Sequence, residues 1–391
     1  MSRFLFVVPP FAGHINPTVG VAAELVGRGH QVAWAGPSAV VERFVAGVVY
    51  DCAMPPESAL NRPADLRGFA ALQFLWADVL GPLADAMVPG VTAAVEDFGP
   101  DVLVVDQQAI AGAVVANVQG LPWATSATTS AGLLDPLAGL PKVAQWLAGL
   151  LDDLQRRHGD PYVGEDPRTS RDLVLAFSTP ELVGIERGEL LPHVRFVGPS
   201  IIDRPDPIAF GWQLLDPTKP LVLVTLGTVS ADAGQGFLAA AFDALKARAD
   251  RMQAVIVDPL GTLPADSADV IVRGRVPQVA LLERAAAVVC HAGHNTVCEA
   301  LNQGIPLVVA PIRDDQPIVA DQVVRAGAGR RLRFGRATDQ HIGAAVDAVL
   351  DDPTYRENAD RIRKSFRDAG GAGAAVDHLE ILAKLRRPAR G

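Results

Sequence analysis

Two histidines in this chain stand where an imidazole could do chemistry. His14 lies in Phe11-Ala12-Gly13-His14-Ile15-Asn16-Pro17, just after an apolar run, Phe4 to Val8, that reads as a buried strand. A small residue before it and a capped helix after it would present the ring at a sheet edge. A side chain that titrates near neutrality suits general-base work there. On spacing alone, an exposed loop histidine is the simpler account. Asp106 ends a second apolar run, Val102 to Val105. If the two strands are neighbours, this carboxylate would fix the tautomer of the imidazole and stabilise its cation. A helix N-cap at a strand-to-helix turn is the competing account. Asp101 is the nearby rival, but it precedes the strand and falls at the opposite edge.

The second histidine opens His291-Ala-Gly-His-Asn-Thr-Val-Cys-Glu299, after the strand-like run Ala285 to Cys290. A helix follows and stops near Gly304 and Pro306. Strand, small-residue loop and helix start together make an anion pocket, because first-turn N–H groups and the helix dipole favour phosphate. Gly293 would let backbone approach a ligand closely. The same residues also fit a capping box, with Thr296 as cap and Glu299 reaching back. One strand further on, Leu307 to Ala310 leads into Pro311-Ile-Arg-Asp-Asp315-Gln316. Asp315 and Gln316 read either as ligand-facing residues at a strand's carboxyl end or as a cap before the proline-started helix at Pro317.

These loops need a scaffold, and the pattern supplies one. Asn16 and Pro17 read as N-cap and first turn of a helix running to about Arg28, ended by Gly29. Further strands are expected at Gln31 to Ala35, Pro122 to Thr125, Leu173 to Phe177 and Val194 to Val197. A second series is expected at Leu221 to Leu226, Ala254 to Val257, Val270 to Val272, Ala286 to Cys290 and Leu307 to Ala310. Strands alternating with helical segments imply an α/β fold with parallel sheets. Asp203 to Pro220 is rich in proline and aspartate and reads as a linker. The expected organisation is therefore one domain over residues 1–204, a linker at 205–220 and a second domain over 221–374.

Composition narrows the class. A chain of 391 residues suits two cores better than one. A net charge of −9 without a compensating basic block argues against nucleic acid. Three cysteines without a CxxC point to a reducing compartment, and the expected location is cytoplasmic. The apolar start, Ser2 to Pro9, is too short for a secretory core. No uncharged run has transmembrane length. The nearest, Gly132 to Leu151, is broken by Asp135, Pro136, Pro141 and Lys142 and reads as a loop plus an amphipathic helix. There is no Asp-x-Asp pair, Walker loop, HExxH or Gly-x-Ser-x-Gly, and no GxGxxG after the first strand.

Val276-Pro277-Gln278, His291-x-Gly-x-Asn-Thr, Glu299, Gly304-Ile-Pro306 and Asp315-Gln316 resemble the donor-binding signature of inverting nucleotide-sugar-dependent glycosyltransferases. This family has the GT-B fold and includes plant secondary-metabolite and bacterial antibiotic and macrolide glycosyltransferases. Gly-His-x-x-Pro around His14 resembles its catalytic loop. The resemblance spans nearly the whole chain. It departs from the plant form where Gly274-Arg275-Val276 replaces a segment opened by Trp, and where His294 stands for another Trp.

The resemblance implies two Rossmann-like domains facing across a cleft, with a final helix, about 375–391, packing back on the first. It implies His14 as base and Asp106 as its partner, His291 on the diphosphate, Asn295 and Thr296 on a phosphate, Glu299 on the ribose hydroxyls, and Asp315 and Gln316 on the sugar. Val276, Gln278 and Gly293 belong to the donor segment, and Thr228 is a candidate phosphate contact or a plain turn residue. The expected donor is a UDP- or TDP-sugar, a substrate rather than a cofactor, and no metal is expected. The acceptor would be an apolar small molecule, walled by Cys52 to Gly90 and Ser126 to Leu151 with Phe74, Trp76 and Trp146. A homodimer is compatible with this organisation. A carotenoid or lipid acceptor, a nucleotide-sugar 2-epimerase and a non-catalytic nucleotide-binding protein remain as alternatives.

Overall fold

Strands buried on both faces read as near-continuous apolar runs, and the central strands Arg3–Val7, Val102–Asp106, Leu221–Thr225 and Ala285–Cys290 of this chain do so over most of their length. The computed structural model describes residues 1–54, 63, 66, 68–134, 137–186, 191–202, 208–227, 234–267 and 269–385. The chain divides into two compact units. The first is Met1–Thr179, Glu186–Ile202 and the chain from Ala369 on; the second is Pro180–Ile185 and Asp203–Asp368.

Among the described residues, the first unit holds a seven-stranded sheet. Its strands are β1 (Arg3–Val7), β2 (Gln31–Gly36), β3 (Val48–Asp51), β4 (Val102–Asp106), β5 (Trp123–Ala127), β6 (Leu173–Ala176) and β7 (Val194–Phe196). The order is β3-β2-β1-β4-β5-β6-β7, parallel throughout. Alternate residues of β1 feed two cores. Leu5 and Val7 pack with the helices Gly81–Phe98, Ile110–Val118 and Pro141–Arg157; Phe4 and Phe6 pack with Ala12–Gly27 and Gly371–Leu385. Strand β3 was not expected. It is a short, half-exposed edge strand and lacks the apolar run that marks a central one.

Two helices differ from expectation. The first begins at Ala12, with Phe11 as N-cap, so Asn16 is not a cap and Pro17 lies inside the helix. The tight turn from Pro9, where Phe11 N–H donates to the Pro9 carbonyl at 2.8 Å, starts the helix one turn early. The segment Gly68–Phe98 is long and apolar enough to cross a membrane by length and composition. Its apolar face is spent on the first core instead, where Leu80, Leu83, Met87, Val91 and Ala94 are buried. The stretch from 132 to 151 resolves into a turn, Ser130–Leu133, and the start of helix Pro141–Arg157.

The final helix, Gly371–Leu385, belongs to the first unit. Ala375, Val376, Leu379, Leu382 and Ala383 form one helical face buried against Leu25 and the sheet. Arg28 reaches Asp377 at 2.6 Å and His30 Nε2 lies 3.0 Å from Glu380. The expected start at 375 falls one turn inside this helix, and its expected end runs outside the described residues.

The second unit carries β8 (Leu221–Thr225), β9 (Gln253–Val257), β10 (Val270–Arg273), β11 (Ala285–Cys290), β12 (Leu307–Val309) and β13 (Gly329–Arg331) in the parallel order β10-β9-β8-β11-β12-β13. Residues 208–220, expected as bare linker, fold onto this unit. Phe210, Trp212 and Leu215 pack against its core, and Arg284 stacks over the Trp212 ring at 4.6 Å.

Candidate active site

Both sheets reverse direction once, and each functional cluster sits where its sheet reverses. In the first unit the chain winds outward from β1 to β3 on one side and from β4 to β7 on the other. The switch point lies between β1 and β4, which pair as Val7 with Val105. Crevices outside the carboxyl ends of strands at such points are where ligands bind in open α/β sheets. His14 follows β1 and sits in the first turn of the Ala12–Gly27 helix, not in a loop as expected. Asp106 is the last residue of β4 and is 1% exposed.

The two side chains meet. His14 Nδ1 lies 2.9 Å from Asp106 Oδ1 and 3.0 Å from Oδ2. The carboxylate therefore faces the ring nitrogen broadside, which places the proton on Nδ1 and leaves Nε2 as the basic nitrogen. The His14 side chain keeps 17% of its surface exposed while that of Asp106 keeps none. Asp106 is not the N-cap of the following helix, whose cap is Ala109. It does accept from Gln108 N–H at 2.8 Å, a local turn that aims the carboxylate at the switch point.

A third residue joins them that sequence reasoning missed. Thr128, the first residue beyond the neighbouring strand β5, donates its hydroxyl to Asp106 Oδ2 at 2.7 Å and lies 2.9 Å from His14 Nδ1. Its only signal was a polar run, Thr125-Ser-Ala-Thr-Thr-Ser130, at a third strand's carboxyl end.

In the second unit the switch point lies between β8 and β11, paired as Thr225 with Cys290. The helix after β11 is His294–Asn302, and its N-cap is Gly293 with no side-chain cap bond. Thr296 and Glu299 are thus two positions inside the helix and beyond, not a capping box. The first intrahelical bond runs from Val297 N–H to the Gly293 carbonyl at 3.1 Å, so the N–H groups of His294, Asn295 and Thr296 form the anion-favouring first turn. Glu299 is buried, and Gln278 Nε2 donates to its Oε2 at 2.6 Å. Val276 is a core residue just before that glutamine.

Glycine at 293 serves the histidine next to it. A Cβ there would stand 2.4 Å from His291 Nε2, and one on Gly227, whose φ is +70°, would stand 2.8 Å from Cε1. The ring is sandwiched between two bare Cα atoms at the switch point. Ala292 between them takes a left-handed φ of 65°, a strain uncommon for a residue with a Cβ. Burial pushes the His291 imidazole down to about 4, opposed by the Thr225 backbone. Its Nδ1 is enclosed without a hydrogen-bond partner among the described residues. Burial thus favours the uncharged ring, and the helix start beside it favours an anion. Thr228 lies outside the described residues.

After β12, Asp315 is the N-cap of helix Gln316–Arg325, and its carbonyl accepts from Ile318 N–H at 3.0 Å and Val319 N–H at 3.1 Å. Gln316 is buried, and its Oε1 accepts from Ile312 N–H at 2.8 Å and Arg313 N–H at 3.1 Å, shaping the loop. Of the expected acceptor aromatics, Trp76 is 5% exposed and part of the first unit's core, with Arg168 over its ring at 5.6 Å. Phe74 and Trp146 are half-buried against that core, and Trp146 meets Phe69 edge to face at 5.4 Å. Much of the expected acceptor wall between 55 and 67 lies outside the described residues. The three cysteines are buried and form no disulfide; desolvation raises each thiol, Cys52 and Cys290 to about 12, which disfavours the reactive thiolate.

Residues 188–370 match the family model described as UDP-glucoronosyl and UDP-glucosyl transferase. The chain is 35% identical over 422 aligned residues to 4'-demethylrebeccamycin synthase of Lentzea aerocolonigenes, covering 97% of this chain and 99% of that one. It is 29% identical to demethyllactenocin mycarosyltransferase of Streptomyces fradiae, covering 98% and 87%. Its fold matches the crystal structure of the calicheamicin glycosyltransferase with a TM-score of 0.79 at 24% identity, over 99% and 100% of the two chains. It also matches a spinosyn rhamnosyltransferase complexed with thymidine diphosphate, with a TM-score of 0.73 at 21% identity, over 97% and 100%. The two parallel α/β units have the fold of GT-B glycosyltransferases. The chain belongs to the family of UDP-glucoronosyl and UDP-glucosyl transferases.

Proposed function

We propose that this enzyme moves a sugar from a UDP- or TDP-sugar to a hydroxyl of an apolar natural-product aglycone, with inversion at the anomeric carbon and His14 as general base. The observation that carries the reading is the broadside Asp106 carboxylate on His14 Nδ1, at 2.9 and 3.0 Å. That arrangement leaves Nε2 to take the proton of the acceptor hydroxyl. The acceptor oxygen then forms its bond to the anomeric carbon while the bond from that carbon to the diphosphate oxygen breaks. The electron pair leaves with the nucleoside diphosphate. Asp106 stabilises the imidazolium that results. Charge growing on the leaving diphosphate is met by the first turn of the His294–Asn302 helix and by a neutral His291.

The acceptor class rests on the relatives, whose names are those of rebeccamycin, lactenocin, calicheamicin and spinosyn glycosylation. Half-buried Phe74 and Trp146 supply apolar surface in the first unit that suits such molecules. A mass-spectrometric panel of UDP- and TDP-sugars against polyketide, indolocarbazole, carotenoid and lipid acceptors tests the substrate class. Transfer only to carotenoid or lipid would replace the acceptor named here. The anomeric configuration of the product, read by proton NMR, tests inversion; retention would overturn the direct displacement. His14→Ala should slow transfer by roughly two to four orders of magnitude while nucleotide binding persists. Turnover within a few-fold of wild type would remove His14 from the role of base.

A further inference from the structure

The Asp106 carboxylate is held from three sides. Oδ1 accepts from Gln108 N–H at 2.8 Å, Oδ2 accepts from the Thr128 hydroxyl at 2.7 Å, and both oxygens face His14 Nδ1. Each oxygen thus has its own outside donor, and the two donors come from different segments. Gln108 follows β4 itself, whereas Thr128 follows β5 and reaches across 22 residues of sequence. The group is buried: Asp106 is 1% exposed and Thr128 is 3% exposed. Among the described residues, Thr128 is the hydroxyl turned onto the carboxylate. Its neighbour Thr129 instead caps the short turn Ser130–Leu133 by accepting from Ala131 N–H.

We propose that Thr128 is a positioning residue for the reaction, holding the Asp106 carboxylate broadside to His14 Nδ1 so that His14 Nε2 remains the basic nitrogen. The inference rests on the reading of His14 as general base. A carboxylate donated to on one oxygen only can turn about its own bond toward the side that remains satisfied. The imidazole would then lose its symmetric partner, and the fraction of rings with the proton on Nδ1 would fall. With Thr128 in place, the hydroxyl spends its proton on Oδ2, and its lone pair faces Nδ1–H at 2.9 Å, so both atoms next to Oδ2 favour that tautomer. The bland alternative is that Thr128 only satisfies a buried carboxylate and stabilises the fold.

Thr128→Val removes the hydroxyl and keeps the shape; Thr128→Ser keeps the hydroxyl. The proposal expects Thr128→Val to lower kcat by about ten-fold or more, as for loss of a hydrogen bond to a charged group, with KM for the nucleotide-sugar unchanged. Thr128→Ser should stay within about three-fold of wild type. In an Asp106→Asn background, Thr128→Val should have no further effect on kcat, because it acts through that carboxylate. Nitrogen NMR of the His14 ring should show less of the Nδ1-protonated form in Thr128→Val. The proposal is overturned by a wild-type kcat in Thr128→Val, by Thr128→Ser falling as far as Thr128→Val, or by an undiminished effect in the Asp106→Asn background. If Thr128→Val does not fold, Thr128→Ala carries the same comparisons. His14→Ala is measured alongside: if it keeps wild-type turnover, the base reading itself has failed. If it is inactive while Thr128→Val is not slowed, the positioning role alone has failed.

Discussion

Gln278 donates its side-chain amide to Glu299 across 2.6 Å, joining the first residue of one helix to a buried carboxylate on the next. The two residues are 21 positions apart, and the bond takes one oxygen of Glu299 while fixing the direction of the other. An ionised carboxylate can only accept, so a pair of hydroxyl groups would suit it.

A ribose offers that pair and a 2'-deoxyribose does not. Uridine diphosphate should therefore bind more tightly than thymidine diphosphate, by about ten-fold for one charge-assisted hydrogen bond. Glu299→Ala should erase the preference. Calorimetry with both nucleotides on both proteins decides it, and equal affinities on the wild type would take Glu299 off the ribose.

The glycines at 227 and 293 should be intolerant of even a methyl group. A Cβ at 293 would meet the His291 ring at 2.4 Å, and one at 227 would meet it at 2.8 Å on a backbone with φ +70°. Gly293→Ala must displace the ring and should weaken nucleoside diphosphate binding by about ten-fold, the scale of one lost hydrogen bond to a charged group. Gly227→Ala adds backbone strain of about 1 kcal/mol and should also lower the melting temperature. Unchanged affinity in Gly293→Ala would mean that the ring position is irrelevant to the donor.

His291 should make stability fall in mild acid. Its folded-state value of about 4 lies below the ordinary imidazole value of 6.5. Between those two values the unfolded chain carries more protons than the native one. Stability is therefore complete above about 6.5, declines as the pH drops through that window, and is fully lost to this group below about 4, a difference on the order of 3 kcal/mol. Chemical denaturation at a series of pH values should show a flatter acid limb for His291→Gln than for wild type. Parallel limbs would show that burial of this ring is not what sets them.

Transfer should not depend on a divalent ion. The helix start after Gly293 offers charge complementarity to a diphosphate without such an ion. Turnover in excess EDTA should match turnover without it. A loss restored by magnesium would mean that the ion, not the helix start, meets the leaving charge.

Much of this enzyme is legible in its residues because the fold writes strands as uninterrupted apolar runs. Phe4 to Val8, Val102 to Val105 and Ala285 to Cys290 need no tertiary information to be read as buried strands, and Asp106 and His291, which follow the last two, mark carboxyl edges. The donor-segment spacing from Val276 to Gln316 is likewise local. Local signals failed where two readings share one pattern. Asn16-Pro17 has the form of a helix start, yet the helix begins at Ala12. Thr296 and Glu299 have the form of a capping box, yet Gly293 is the cap. Short edge strands such as β3 and β13 carry no apolar run to find. What only the tertiary structure decided is which edges are neighbours. The order β1-β4-β5 brings His14, Asp106 and Thr128 together from three separate segments, and the order β8-β11 lays the His291 ring between Gly227 and Gly293. A sequence states what each strand end carries; strand order is settled by how helices pack on both faces of a sheet. That packing is a long-range property which no window of the chain contains.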